Sequence, residues 1–159
     1  MQFRIGSGFD VHRLADGLPL VLGGVRIPFE KGLEGHSDAD VLVHAVIDAL
    51  LGSLALGDIG SHFPDSDPRY RGISSLILLK QAWRLVREKD FQLGNLDSIL
   101  IAESPKLSPF LDAMRSNLAE SLECKKDLIS IKATTTERLG FTGRGEGIAA
   151  QATATITLP

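Results

Sequence analysis

Ala150-Gln151-Ala152-Thr153-Ala154-Thr155-Ile156-Thr157-Leu158 places an apolar residue at every even position and a polar one at every odd position. Side chains on a strand alternate between faces, so this period of two predicts a strand with one face against a core. Near the other terminus, Phe3, Ile5, Phe9 and Val11 alternate with Arg4, Gly8, Asp10 and His12. This predicts a second strand over Phe3–His12, with Asp10 and His12 projecting together on one face. Ile129, Ile131 and Ala133 suggest a third strand, and Leu96, Ile99 and Ile101, opened by Gly94-Asn95, a fourth.

Between these lie helical patterns. Ser37 with Asp40 three residues on forms a capping-box pattern, followed by Val41, Leu42, Ala45, Val46, Ala49 and Leu50 at helical spacing. His44 then lies about two turns inside that helix. A second helix is expected over roughly Ile73–Lys89 and a third after Pro109. Leu20–Ile27 reads as a hairpin around Gly23-Gly24, Gly32–Gly35 as a loop, and Gly57–Pro68 as a long ordered loop. Short joins early in the chain favour an α+β fold: a mixed β-sheet with helices on one face. The uncovered sheet face, rich in Ala and Thr, is expected to be buried by self-association.

At 159 residues and 43% hydrophobic content, the chain fits one domain over residues 1–159. A net charge of −3 without a dense Lys/Arg run argues against nucleic acid or an anionic membrane as the main partner. The single Cys124 excludes an internal disulfide framework and a Cys-rich zinc site. No signal-peptide pattern or membrane-length apolar run is present, so a cytoplasmic protein, or a mature plastid-stroma form, is expected.

Asp10, His12 and His44 supply nitrogen and carboxylate donors for a three-ligand zinc site with a fourth position open. Spacing alone leaves open a chance pair and a merely hydrogen-bonded histidine. His36 and Ser37 would stand at the N-terminus of the His44 helix, where free N–H groups favour an anion, although Ser37 also reads as a simple cap. Thr134-Thr135-Thr136-Glu137 offers hydroxyls for phosphate and a carboxylate suited to Mg²⁺, while the threonines alone are ordinary strand residues. Asp48 reads as a solvated helix carboxylate or a partner of a metal ligand.

Taken together, Gly6-Ser7-Gly8-Phe9-Asp10-Val11-His12, His36-Ser37-Asp38-Ala39-Asp40-Val41, Gly57-Asp58-Ile59-Gly60, Phe63-Pro64-Asp65 and the long run Lys132–Gly147 closely resemble the 2-C-methyl-D-erythritol 2,4-cyclodiphosphate synthase family. These are the cyclases of the non-mevalonate (MEP) isoprenoid pathway. The resemblance implies a phosphorus–oxygen lyase that turns 4-diphosphocytidyl-2-C-methyl-D-erythritol 2-phosphate into the cyclodiphosphate and CMP. It implies a homotrimer with active sites between subunits, zinc on Asp10, His12 and His44, and a second divalent ion, Mg²⁺ or Mn²⁺, on Glu137. His36 and Ser37 fall on the phosphate-contacting pair; His36 and Thr135 are the side chains expected to stabilise the transition state of such a reaction. The erythritol pocket maps to Asp58, Ile59, Gly60, Phe63, Pro64, Asp65, Ser66 and Asp67. The cytidine pocket maps to Ala102, Glu103, Ser104, Pro105, Lys106, Leu107 and Ser108, with Ala133, Thr134 and Thr135, and Thr136 is a further expected substrate contact. Phe9, Phe141, Arg144 and Glu146 match positions near an axial channel that can hold an isoprenoid diphosphate, or near the substrate. Ser7 departs from the His that many members carry between the two glycines. A zinc phosphoesterase and a non-catalytic lipid-diphosphate sensor are the competing readings of the same residues.

Overall fold

The computed structural model describes residues 2–159. The chain runs β1 (Gln2–Asp16), β2 (Leu20–Leu22), β3 (Val25–Ile27), β4 (Lys31–Leu33), α1 (Val41–Ser53), α2 (Ile59–His62), α3 (Ser75–Arg87), β5 (Gln92–Ile101), α4 (Leu111–Ser121), β6 (Ile129–Thr134), α5 (Gly140–Gly143) and β7 (Gly147–Leu158). Five strands form one sheet in the order β4-β1-β7-β5-β6, and β2 with β3 makes a separate hairpin. Only β5 and β6 are parallel; the other pairs in the sheet are antiparallel. The sheet is therefore mixed, in an α+β fold as expected.

The two alternating segments pair with each other in unbroken register, from Gln2 opposite Leu158 to Arg13 opposite Gly147. The even-numbered residues of β7 from Ala150 to Ile156 face the helices and are fully buried. On the opposite face Phe3, Ile5, Phe9 and Val11 are 43–64% exposed. Leaving four large apolar side chains of one strand in water is unfavourable, at about 25 cal/mol per Å² of apolar surface.

Helix α1 is buried on nearly every side because it packs on β1 and β7 and also on α3. Its approach to β1 depends on two glycines. A Cβ at Gly6 would lie 1.8 Å from the Ala49 carbonyl oxygen, and one at Gly8 would lie 2.0 Å from that of Ala45. Strand and helix run in opposite senses, so a two-residue step along β1, about 6.6 Å, keeps pace with about one helical turn of 5.4 Å. The next steps bring Asp10 and His12 to the first turn of α1, towards which the His44 side chain leans back.

Several expectations need correction. Asp40, not Ser37, caps α1: its carboxylate accepts from Val43 N at 3.1 Å. The same carboxylate accepts from Gly23 N at 2.9 Å and Gly24 N at 2.7 Å, tying the β2–β3 turn to the helix. Complete burial drives the Asp40 carboxyl up to about 6, with Asp38 adding to the rise and the three N–H donors opposing it. His44 is consequently the fourth residue of α1, one turn in and not two. Gly32 and Leu33, the start of the loop expected over Gly32–Gly35, belong instead to the edge strand β4, because β1 continues to Asp16 and offers it a partner. The loop over 57–68 contains α2, capped by Asp58, whose carboxylate accepts from Ser61 N at 2.8 Å.

Candidate functional site

The open end of the β1–α1 contact forms a cleft of about 370 Å³ lined by Asp10, His12, His36, Ser37, His44, Ile59, Gly60, Phe63, Pro64 and Asp65, together with Gly35, Tyr70 and Leu78. At its floor, Asp10 Oδ2 lies 3.0 Å from His12 Nε2 and 3.0 Å from His44 Nδ1. The two imidazole nitrogens are 3.2 Å apart. Donors about 2.0–2.1 Å from a tetrahedral ion lie about 3.3 Å from one another, so the three atoms are spaced for a divalent metal with one position free. Among the described residues this is the one cluster of three or more potential His, Cys, Asp or Glu ligands.

Each histidine is held from behind. His12 Nδ1–H donates to the Glu34 carbonyl at 2.6 Å, so Nε2 is the nitrogen that faces the cleft. His44 Nε2 lies 2.9 Å from Ser75 Oγ and 3.1 Å from Ser37 Oγ, leaving Nδ1 towards Asp10 and His12. Burial pushes Asp10 up, but hydrogen bonds and charge from His12 and His44 outweigh it and bring the carboxyl down to about 2. Burial likewise lowers His12, and the Asp10 carboxylate more than reverses it, so the imidazole is raised. A divalent ion would keep that ionised carboxylate and displace the cleft-side protons that the imidazoles share with it.

The rest of the cleft is placed by loop contacts. His36 Nε2–H donates to the Asp67 carbonyl at 3.2 Å, and Asp67 is in turn held by Arg69, with Nη2 to Oδ2 at 2.6 Å. Asp67 thus supports His36 and does not line the cleft, nor do the exposed Ser66 and Asp58. Asp48 is half-buried and not fully solvated: it accepts from Ile59 N at 2.7 Å and pins the start of α2 to α1. Its half-burial, offset in part by that N–H and joined by repulsion from Asp58, raises its carboxyl.

A second cleft of about 610 Å³ is lined by Ala102 through Ser108 with Ala133, Thr134 and Thr135, the set expected for a cytidine pocket. The Ser104–Pro105 peptide in its wall is cis. It shares no lining residue with the first cleft. Thr136 stands just outside, with its hydroxyl 2.8 Å from that of Thr142. Glu137, exposed and with φ of +54°, lies outside the Asp10–His12–His44 cluster. Arg144 is paired with Glu146 at 2.8 Å near the partly exposed Phe141. Sequence reasoning missed Ser75, Asp38 and the Glu34 carbonyl as supports of the histidines. Asp38 lay inside a quoted motif, whereas no spacing rule links Ser75 to His44.

A mixed sheet that presents two nitrogens and a carboxylate at an open cleft, with hydroxyl and imidazole groups alongside, defines an enzyme site fit for a divalent metal. The chain belongs to the YgbB family, whose model matches residues 3–157. The 2-C-methyl-D-erythritol 2,4-cyclodiphosphate synthase of Bacillus velezensis is 58% identical over 155 residues, covering 98% of each chain. The bifunctional IspDF from Campylobacter jejuni superposes with a TM-score of 0.95 at 46% identity, over 99% of this chain and 43% of its own. This chain therefore spans under half of that bifunctional protein. The Plasmodium falciparum IspF in complex with CDP gives a TM-score of 0.86 at 33% identity, over 98% of this chain and 96% of its own.

Proposed function

We infer that this protein, as one domain over residues 1–159, is a cyclodiphosphate synthase. It converts 4-diphosphocytidyl-2-C-methyl-D-erythritol 2-phosphate into 2-C-methyl-D-erythritol 2,4-cyclodiphosphate and CMP in the cytoplasm. The observation that carries this reading is the Asp10–His12–His44 cluster, both histidines held from behind, in a chain 58% identical to a synthase of that name. The 2-phosphate oxygen forms a bond to the β-phosphorus as the bond between that phosphorus and the CMP oxygen breaks, so no water is consumed and no side-chain nucleophile is needed.

The two groups that must meet are both anionic, and the substrate is flexible. The protein's task is to position and neutralise. Asp10, His12 and His44 would hold zinc, and the Glu137 carboxylate would hold a second ion, Mg²⁺ or Mn²⁺, both of which take oxygen ligands. When bound, these ions supply Lewis-acid charge that orients the phosphates and stabilises departing CMP. His36 and the Ser37 hydroxyl donate to phosphate oxygens, and Thr135 to the phosphoryl group in flight. Ile59, Gly60 and Phe63 to Asp65 form the wall for the erythritol carbons, with Asp58, Ser66 and Asp67 at its rim; Ala102 to Ser108 with Ala133, Thr134 and Thr135 receive the cytidine.

Assembly into a homotrimer is supported by two observations: the exposed apolar row Phe3, Ile5, Phe9 and Val11, and the separation of the two clefts within one chain. Sites shared between subunits would join the metal cleft of one to the cytidine cleft of the next, and Phe9, Phe141, Arg144 and Glu146 would stand near an axial channel able to hold an isoprenoid diphosphate. The test is ³¹P NMR of the protein with substrate and Mg²⁺, with and without zinc chelation. Two coupled cyclic-diphosphate resonances with CMP release, lost on chelation, are expected; inorganic phosphate or a linear diphosphate as product would overturn the reading.

A further inference from the structure

His44 has two ring nitrogens, and only one protonation pattern leaves Nδ1 free for a metal. The choice is made elsewhere in the fold. Ser75, fully buried as the first residue of α3, lies with Oγ 2.9 Å from His44 Nε2. The same hydroxyl is in close contact with Asp38 Oδ1. Asp38 is itself fixed by two backbone donors: Oδ2 accepts from Ser75 N at 3.0 Å and Oδ1 from Asp40 N at 3.1 Å.

A hydroxyl has a single proton, and an ionised carboxylate has none to give. Ser75 must therefore donate to Asp38, since otherwise two acceptor oxygens would be pressed together in a buried contact. Once the proton is committed there, Ser75 Oγ faces His44 only with a lone pair. Nε2 must then carry the hydrogen, which leaves Nδ1, 3.0 Å from Asp10 Oδ2, as the nitrogen a metal would take. Ser37 Oγ, 3.1 Å from the same Nε2, can likewise only accept from it. Its own proton is thereby left for the cleft, where Ser37 faces the substrate.

We propose that Asp38 is a positioning residue that acts through Ser75 to lock His44 in the Nε2–H tautomer and so prepares the metal site. The proposal rests on reading Asp10, His12 and His44 as metal ligands, but not on the identity of the substrate. Asp38→Asn keeps the shape and removes the logic. Its amide nitrogen would meet a donor on either side, the Ser75 N–H in one orientation and the Ser75 O–H in the other, and the second orientation turns the hydroxyl proton towards His44.

Zinc affinity, measured by competition with a chromophoric chelator, tests this in wild type, Asp38→Asn, Ser75→Ala and the double variant. Each single substitution is expected to weaken zinc by about 10–100-fold, the usual range for groups that orient metal-bound imidazoles. The double variant is expected to be no weaker than Ser75→Ala alone, because Asp38 acts only through that hydroxyl. Equal losses for Asp38→Asn in the presence and absence of Ser75 would overturn the proposal and leave Asp38 as a structural clamp. Unchanged affinity in Ser75→Ala, which retains the backbone bonds of Asp38, would overturn it independently of how well Asp38→Asn folds. Failure of the wild type to bind zinc would instead refute the metal site itself.

Discussion

Replacing Gly8 with alanine is expected to impair metal binding from a position that touches no ligand. The new methyl carbon would start 2.0 Å from the Ala45 carbonyl oxygen and 2.9 Å from both Ala49 N and Asp48 Cβ. Because carbon–oxygen contacts below 3.0 Å are essentially never seen, the elements must part by about 1 Å at this point. Either α1 lifts or β1 bends away. In both cases His44, adjacent to Ala45 on the helix, moves from Asp10 and His12 on the strand. Metal–ligand distances tolerate about 0.2 Å, so a displacement several times larger removes one ligand in effect. Overpacking of this kind costs about 1–3 kcal/mol, equivalent to a Tm lower by roughly 2–12 °C in a chain of this size. Thermal melts of the metal-free protein read the first effect and zinc competition the second. Gly52→Ala is the control: its methyl would have only the Ser7 carbonyl at 3.8 Å, and alanine in a helix gains up to about 1 kcal/mol over glycine. A Gly8→Ala protein that melts and binds zinc like the wild type would refute the account of how the glycines set the site.

His44→Ala leaves two ligands, and zinc affinity should fall by about 100-fold or more, with cyclic product lost in the ³¹P assay. Asp40 has a folded-state value raised to about 6 from 3.8, so its contribution to stability is present below about pH 4 and lost as the pH climbs through 6. Urea unfolding with chelator present should show the wild type losing stability relative to Asp40→Asn over that window, on the order of 3 kcal/mol at most; a difference independent of pH would exclude Asp40 as the source. Phe9→Glu, on the uncovered sheet face, should give monomers in sedimentation velocity, and a protein that still sediments as the wild-type assembly would show that this face is not the interface.

Much of this architecture was legible because the alternation in β1 and β7 has a single reading: shifting either by one residue would invert every side chain. The Asp10–His12 half-site followed directly, since a strand fixes which residues share a face. The start of α1 was not legible. Ser37 and Asp40 are both acceptable caps by local chemistry, and the choice fell to Asp40 because the distant Gly23 and Gly24 amides also need its carboxylate. Strand β4 was missed for a similar reason, as three residues containing a glycine acquire strand character only where β1 offers an edge. Ser75 stands 31 residues from His44 and becomes its neighbour only through the packing of α3 on α1. Local periodicity fixes elements, whereas these contacts depend on tertiary approach.

The metal cleft and the Ala102–Ser108 cleft have no residue in common. If each working centre in a ring of three takes one cleft from each of two neighbours, damage to the two halves is separable and can be made good by mixing. A subunit lacking His44 and another with its Ala102–Ser108 cleft blocked would each be inert alone. Co-assembled at random in equal amounts, every mixed ring contains one junction with both halves intact, and about a quarter of all centres regain function. Inheritance of two defective copies would then be milder than either defect alone, a form of genetic rescue that follows from the distance between two hollows on one small subunit.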